Sequence, residues 1–221
     1  MAFLIDAIVD RAVRVRPEGP AGTLGHDRIT FAELDRRATR TANALAGLGA
    51  ESGDVLAWFT GASLRSLDAL VACARRGLLF APLNPQLSAD ELAAVLEYLE
   101  PRWLVADAER HDLAAAVAHR LSIPLLVVDH HAVPIAGTSL DGLTQSAASS
   151  PDPRRPAVRE TDPHIVYLTS GSTSRPKGVL VSHRASWLRS AAGCGTFATG
   201  IRGSGGVVCS FPLYHYGGWH Y

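Results

Sequence analysis

The sequence predicts an α/β fold, a mostly parallel sheet flanked by helices, and three observations predict it. Short β-branched or aromatic runs alternate with longer stretches whose apolar residues recur at helical spacing. Capping boxes at Thr30–Glu33 and Ser88–Glu91 mark two helix starts, each hydroxyl accepting from the helix N-terminus while the glutamate reaches back. Strands alternating with helices at this pitch imply parallel pairing through right-handed crossovers.

The elements follow in order. Phe3 to Val15 places Leu4, Ile8, Val9, Ala12 and Val13 at helical spacing and stops before Pro17. Residues 23–29 read as a small hairpin around Gly25. The helix opened by Thr30 carries Leu34, Ala38, Ala42, Leu45 and Leu48 on one face and ends at Gly47 or Gly49. Gly53-Asp54 turns into a strand at Val55–Phe59. Ser63 to Arg76 is a helix, and Leu78 to Leu83 a short strand closed by Pro82 and Pro85. The Ser88 helix runs to Leu99. A strand at Trp103–Ala106, a helix around Leu113–Arg120 and a strand at Leu125–Val128 follow.

From Pro134 to Pro163 the texture changes to Ser, Ala, Pro, Asp and Arg, which reads as a surface connection with a turn of helix at Ser139–Leu143. The predicted organisation is therefore a first α/β block at 1–133, a connection at 134–163, and a second block at 164–221. In the second block, strands at Ile165–Leu168 and Gly178–Val181 flank a polar loop. Arg184–Cys194 reads as a helix, Gly203–Gly206 as a turn, and Val207–Phe211 as a further strand.

Composition excludes several function classes. The 221 residues carry a formal net charge of +0 and are 47% hydrophobic, enough for a sizeable core. Balanced charge offers nothing to attract nucleic acid or a membrane surface. Cys73, Cys194 and Cys209 are odd in number and lack any CxxC, so buried free thiols in a reducing compartment are expected rather than a disulfide framework or zinc site. Asp6 and Asp10 interrupt the apolar start, which excludes a secretory signal, and no uncharged run reaches membrane-spanning length. A cytoplasmic protein is expected.

The loop Thr169 to Lys177 suits the holding of phosphates. Gly171 lets the backbone approach an anion, and five hydroxyls (Thr169, Ser170, Ser172, Thr173, Ser174) supply neutral donors. Lys177 adds a mobile charge, and Pro176 restricts the loop. Composition alone weighs this reading equally with a solvated Ser/Thr/Gly hairpin. It is not the P-loop of nucleotidases, where Gly precedes Lys and a helix follows; here Pro176 precedes Lys177, Gly178 follows, and a strand comes next.

The run Tyr167-Leu168-Thr169-Ser170-Gly171-Ser172-Thr173-Ser174-Arg175-Pro176-Lys177-Gly178-Val179 closely resembles the signature loop of the adenylate-forming superfamily, which includes acyl-CoA synthetases, luciferases and peptide-synthetase adenylation domains. It departs from the family pattern at Ser174, where glycine is usual; if φ is positive there, serine costs about 1 kcal/mol. Arg28 to Leu34 and Gly77 to Pro85 resemble the superfamily's opening segments, which are structural. The resemblance implies the incomplete large N-terminal domain of such an enzyme, with the C-terminal domain absent.

It also implies a reaction: a carboxylic acid and ATP give an acyl adenylate and pyrophosphate, then a thioester to coenzyme A or, as a second possibility, to an acyl carrier protein. By that resemblance Thr169, Ser170, Gly171, Ser172, Thr173, Ser174, Lys177 and Gly178 bind the nucleotide phosphates with Mg²⁺ bridging them, and Lys177 and Thr173 are the catalytic pair. No protein ligand to a metal is implied. Pro212-Leu213-Tyr214-His215-Tyr216-Gly217-Gly218 resembles the Pro-x-Phe-His-x-x-Gly segment of acyl- and aryl-CoA synthetases. Tyr214, His215, Gly217 and Gly218 are thereby placed at the acid pocket, where by itself the histidine reads as packed among aromatics. Amino-acid adenylation domains usually differ here, which favours an acyl or aryl acid.

Other polar residues have plainer readings. His130-His131 lacks a third ligand at metal-site spacing and reads as a solvated turn. His183 helps start the next helix, and Asp107 and Asp129 cap strand ends or turns. Two functions of different class remain: part of an acid-activating ligase, inactive by itself, or a non-catalytic remnant that binds phosphate ligands or serves as an interaction surface. Val207–Phe211 and the aromatic tail are expected to leave an apolar face exposed.

Overall fold

The structure, a computed structural model, describes residues 3–128, 137–169, 176–197, 209–215 and 218, with 193–197 described by backbone alone. The chain begins with helix α1 (Ile5–Val15), the antiparallel ribbon β1 (Pro20–Leu24) and β2 (Asp27–Thr30), and helix α2 (Phe31–Gly47). Strand β3 (Val55–Phe59), helix α3 (Arg65–Arg76), strand β4 (Leu79–Pro82), helix α4 (Ala89–Leu99), strand β5 (Trp103–Asp107), helix α5 (His111–Leu121) and strand β6 (Leu125–Val128) follow as crossover units. Then come β7 (Thr138–Ser139), α6 (Leu140–Ser146), β8 (Pro163–Thr169), β9 (Lys177–Ser182) and α7 (His183–Phe197).

Among the described residues the main sheet has seven strands in the order β7-β6-β5-β3-β4-β8-β9. Every pairing is parallel except β8 with β9, which form a hairpin. The predicted α/β class with a mostly parallel sheet is what the chain adopts. The strands are apolar on both faces because both faces are covered. Leu56, Trp58, Phe80, Trp103 and Val105 meet α2, α3 and α6 through Leu45, Cys73 and Leu140. Ala57, Phe59, Leu104 and Ala106 meet α4 and α5 through Leu92, Leu96, Ala114 and Val117. A third cluster of Val9, Ile29, Leu34, Ala38 and Val71 seats α1 on α2 and α3.

Both capping boxes form as the sequence requires: Thr30 and Ser88 each accept from the backbone of Glu33 and Glu91, and each glutamate returns to the cap amide. Gly77 ends α3 in the left-handed region at φ 68°. A Cβ there would sit within contact of the Ser52 hydroxyl, so no other residue fits without rearrangement.

The stretch read as a surface connection carries two elements of its own. β7 pairs with β6, and Leu140 of α6 is buried in the main core. Arg65 pairs with Asp141, and Asn43 donates to the carbonyls of Ala148 and Ser150. These long-range ties leave no trace in local composition. Within the predicted strand Val207–Phe211, residues 209–211 are irregular, and 207 and 208 lie outside the described residues, as does the turn at 203–206. Cys73 is buried and its thiol pushed up by desolvation, whereas Cys209 is exposed, its Sγ turned toward the Phe211 and Gly218 carbonyls. The expectation of buried thiols thus holds for Cys73 and fails for Cys209; the Cys194 side chain lies outside the described set. Apolar residues are exposed on the edge strand β9 (Val179, Leu180) and at Phe211.

Asp68 on α3 is 1% exposed and accepts from Arg37 at 2.9 Å and Arg65 at 2.8 Å. Replacing it with alanine removes the carboxylate that Arg37 and Arg65 share, while Arg65 keeps Asp141, so Asp68→Ala is expected to cost about 2 kcal/mol in a denaturant titration.

His183 opens α7, as read from the sequence, but it is wholly buried rather than merely at a helix end. Its Nδ1 accepts from the Ile5 amide at 3.2 Å, and its ring lies 4.9 Å from that of His164. Burial pulls its pKa from 6.5 down to about 4, against the raising effect of Asp162. The folded state therefore resists protonation that the unfolded chain accepts. Stability from this group is complete above pH 6.5 and is lost as pH falls toward 4. His183→Gln is expected to flatten that part of a pH series of unfolding temperatures.

Candidate functional site

The parallel strands all point their C-terminal ends toward one edge, where an open α/β sheet exposes loops to a ligand. β8 leaves the sheet at that edge and β9 returns from it, with Thr169 opposite Lys177 and Leu168 opposite Gly178. Thr169 Oγ1 donates to the Lys177 carbonyl at 3.4 Å, the long end of hydrogen-bond range. The two residues thus form the neck of the predicted phosphate loop. Both are exposed. Ser170, Gly171, Ser172, Thr173 and Ser174 lie outside the described residues, so the geometry covers the loop's neck and not its tip.

Lys177 is the only lysine in the chain. Among the described residues it has no carboxylate partner, which leaves its ammonium group able to reach an anion over the loop. Gly178 has a packing reason to lack a side chain. A Cβ there would stand 3.0 Å from Val166 Cγ2 and 3.3 Å from the Tyr98 ring. Its amide instead donates to the Tyr98 hydroxyl at 3.0 Å. Tyr98 projects from α4 and is half exposed. It braces the lysine side of the loop from a helix 80 residues earlier. Sequence reading missed it; its only signal was an aromatic ring on the outer face of an otherwise Ala/Glu-rich helix.

A second bracing network also went unread. Asp107, at the end of β5, accepts from the Gly61 amide at 2.7 Å and from the Arg110 amide at 3.1 Å. Arg110 pairs with Asp107 at 2.8 Å and donates from Nε to the Pro85 carbonyl. The strand-end role predicted for Asp107 is present, and it reaches further than a local turn by joining the loops after β3, β4 and β5. Asp129, His130 and His131 lie outside the described residues.

The predicted acid-pocket residues are partly described. His215 is exposed, and its amide closes a turn onto the Pro212 carbonyl at 3.0 Å. The Gly218 amide then donates to the His215 carbonyl at 2.9 Å. A Cβ on Gly218 would lie 2.5 Å from the Pro212 carbonyl oxygen, which explains a glycine there. Tyr216 and Gly217 lie outside the described residues. Pro212, Leu213 and Tyr214 line a cavity with residues from the ends of β3 and β4. Since β4 lies next to β8, the Tyr214 segment and the neck of the loop belong to the same edge of the sheet.

Among the described residues, no group of three or more His, Cys, Asp or Glu side chains converges to hold a metal ion. No helix among them is long and apolar enough to cross a membrane.

An open, mostly parallel sheet with helices on both faces defines an α/β domain. The chain belongs to the AMP-binding enzyme family, whose model matches residues 9–221. It is 29% identical over 174 residues to surfactin synthase subunit 3 of Bacillus subtilis, covering 78% of this chain and 12% of that protein. It is 32% identical over 175 residues to a feruloyl-CoA synthase of Amycolatopsis, covering 78% of this chain and 32% of the relative. The crystal structure of ATP-bound MatB from Rhodopseudomonas palustris superposes with a TM-score of 0.82 at 26% identity, covering all of this chain and 42% of that one. The chain thus spans less than half the length of these relatives. Its fold is that of the N-terminal domain of adenylate-forming enzymes.

Tyr98→Phe removes the acceptor for the Gly178 amide while keeping the ring. It is expected to cost about 1 kcal/mol and to speed hydrogen exchange at Gly178.

Proposed function

We propose that this chain is the phosphate-gripping part of a ligase that activates a carboxylic acid with ATP. The product is an acyl adenylate, passed on as a thioester to coenzyme A or to an acyl carrier protein. The observation that carries the reading is the β8–β9 hairpin: a loop of glycine and hydroxyls, closed by the chain's only lysine, at the ligand edge of the sheet. Membership of the family and the ATP bound to a structural relative support it.

The barrier to such a reaction is electrostatic. A carboxylate must approach a phosphorus already surrounded by negative oxygens, and the leaving pyrophosphate gains charge as the bond breaks. Neutral donors from Thr169, Ser170, Ser172, Thr173 and Ser174, together with the amide of Gly171, would hold the β- and γ-phosphates, while the Gly178 amide is given to Tyr98. Lys177 would counter the growing charge, with Thr173 beside it. Mg²⁺ would enter with the nucleotide and supply positive charge to its phosphates. His215, exposed on its turn near Tyr214, would receive the carboxylate, with Gly217 and Gly218 shaping the entrance. A cytoplasmic setting, where ATP and coenzyme A are found, accompanies this reading.

Lys177 offers a direct test. A lysine-directed acylating reagent reads this one side chain apart from the N-terminal amine, and ATP is expected to protect it. In the full-length ligase, Lys177→Ala is expected to slow ATP–pyrophosphate exchange by about 100-fold, the scale for losing one such donor. Labelling unaffected by ATP, with exchange unchanged in the variant, would remove Lys177 from the mechanism. Phosphate binding without any exchange in the full reading frame would leave a non-catalytic module.

A further inference from the structure

The hairpin that carries the loop has a register that the side chains of its outer strand barely specify. β9 runs along the edge of the sheet, and of its six residues, all described, Val181 alone is buried. Val179, Leu180 and Val181 are aliphatic residues in succession, so a slip of one residue trades Val181 for Leu180 at the same place in the core. The connection from Thr169 to Lys177 is too long to dictate the pairing as a tight turn does. The base of the hairpin does not dictate it either. Pro163 pairs with Ser182 and Ile165 with Val181, so the register already shifts between them.

A slip matters because it turns every side chain to the other face of the sheet. In the register observed, Ile165, Tyr167 and Val181 belong to the cluster that packs on α2 and α3. Lys177 follows Val181 and Val179 on that face, by the alternation of a strand. Gly178 lies on the opposite face, paired with Leu168, which packs against the cluster that includes α4. There Tyr98 closes over it. A Cβ at Gly178 would meet Val166 Cγ2 at 3.0 Å, the Tyr98 ring at 3.3 Å and the Tyr98 hydroxyl at 3.4 Å. A slip in either direction brings Lys177 or Val179 beneath Tyr98, a full side chain where a Cβ already forces its neighbours to shift. The Gly178 amide adds direction, since it donates to the Tyr98 hydroxyl at 3.0 Å.

We propose that Tyr98 is a positioning residue: its ring selects the glycine of β9, and so fixes the face from which Lys177 leaves the strand. This rests on the reading of Lys177 as the cation of the phosphate loop and adds what aims it. Tyr98 acts through the strand and touches no reacting atom. The ring supplies the steric selection, and the hydroxyl holds the amide in the selected register.

The decisive experiment moves the glycine and leaves the tyrosine in place. Gly178→Val combined with Val179→Gly keeps the composition of the chain and shifts the notch along β9. Backbone NMR contacts across the hairpin read the register directly. Val166 lies across from Leu180 and is expected across from Val181 in the double variant. Lys177 then turns to the α4 face, and its protection by ATP against the acylating reagent is expected to fall about tenfold or more, the scale for losing one charge-assisted contact. Tyr98→Ala, with Gly178 in place, is expected to show both pairings side by side, whereas Tyr98→Phe keeps the ring and the native pairing. A double variant folded in the native register, or Tyr98→Ala with the native pairing only, overturns the lock. If the double variant does not fold, the pairings in Tyr98→Ala decide by themselves. ATP protection of Lys177 in the unsubstituted chain reports the phosphate reading separately. Its absence while the register follows the glycine ends that reading and spares the lock; its presence while the register ignores the glycine does the reverse.

Discussion

The contact on which the rest of the structure depends is the seating of β8 against β4. Phe80 and Ile165 face each other across that pairing, and both are wholly buried. Without it the hairpin that carries the loop would be a two-stranded ribbon, which is marginal in water. With it, the loop's neck is anchored to a sheet packed on both faces, and it stands one strand away from the ends of β3 and β4. The chain must travel from β6 through β7 and α6 before returning to the far side of β4. That return is held by Leu140 in the core and by the Arg65–Asp141 and Arg76–Asp152 pairs. A region that looks like a linker is therefore part of what positions the site.

Most of the fold was legible because its signals are local. The capping boxes at Thr30 and Ser88 placed two helix starts to the residue, and the apolar runs at Val55, Trp103 and Leu125 placed three strands. Two-sided burial writes itself into a sequence as a continuous apolar run. What could not be read is what depends on partners distant along the chain. The two-residue strand β7 has no pattern to detect; it exists because β6 offers an edge. His183 looks like any polar helix start, and only the approach of Ile5 and His164 makes it a buried neutral ring.

The site divides along the same line. Its family was legible, since glycines, hydroxyls and a solitary lysine form a pattern along the chain, and the resemblance to adenylate-forming enzymes agrees with the family match. Its support was not. Tyr98 reaches Gly178 from α4, and Arg110 reaches Pro85 and Asp107 across three loops. Neither arrangement has a spacing rule. The Tyr214 segment shows both sides: its motif was visible, while the wall it shares with Trp58 and Pro82 needed the sheet order.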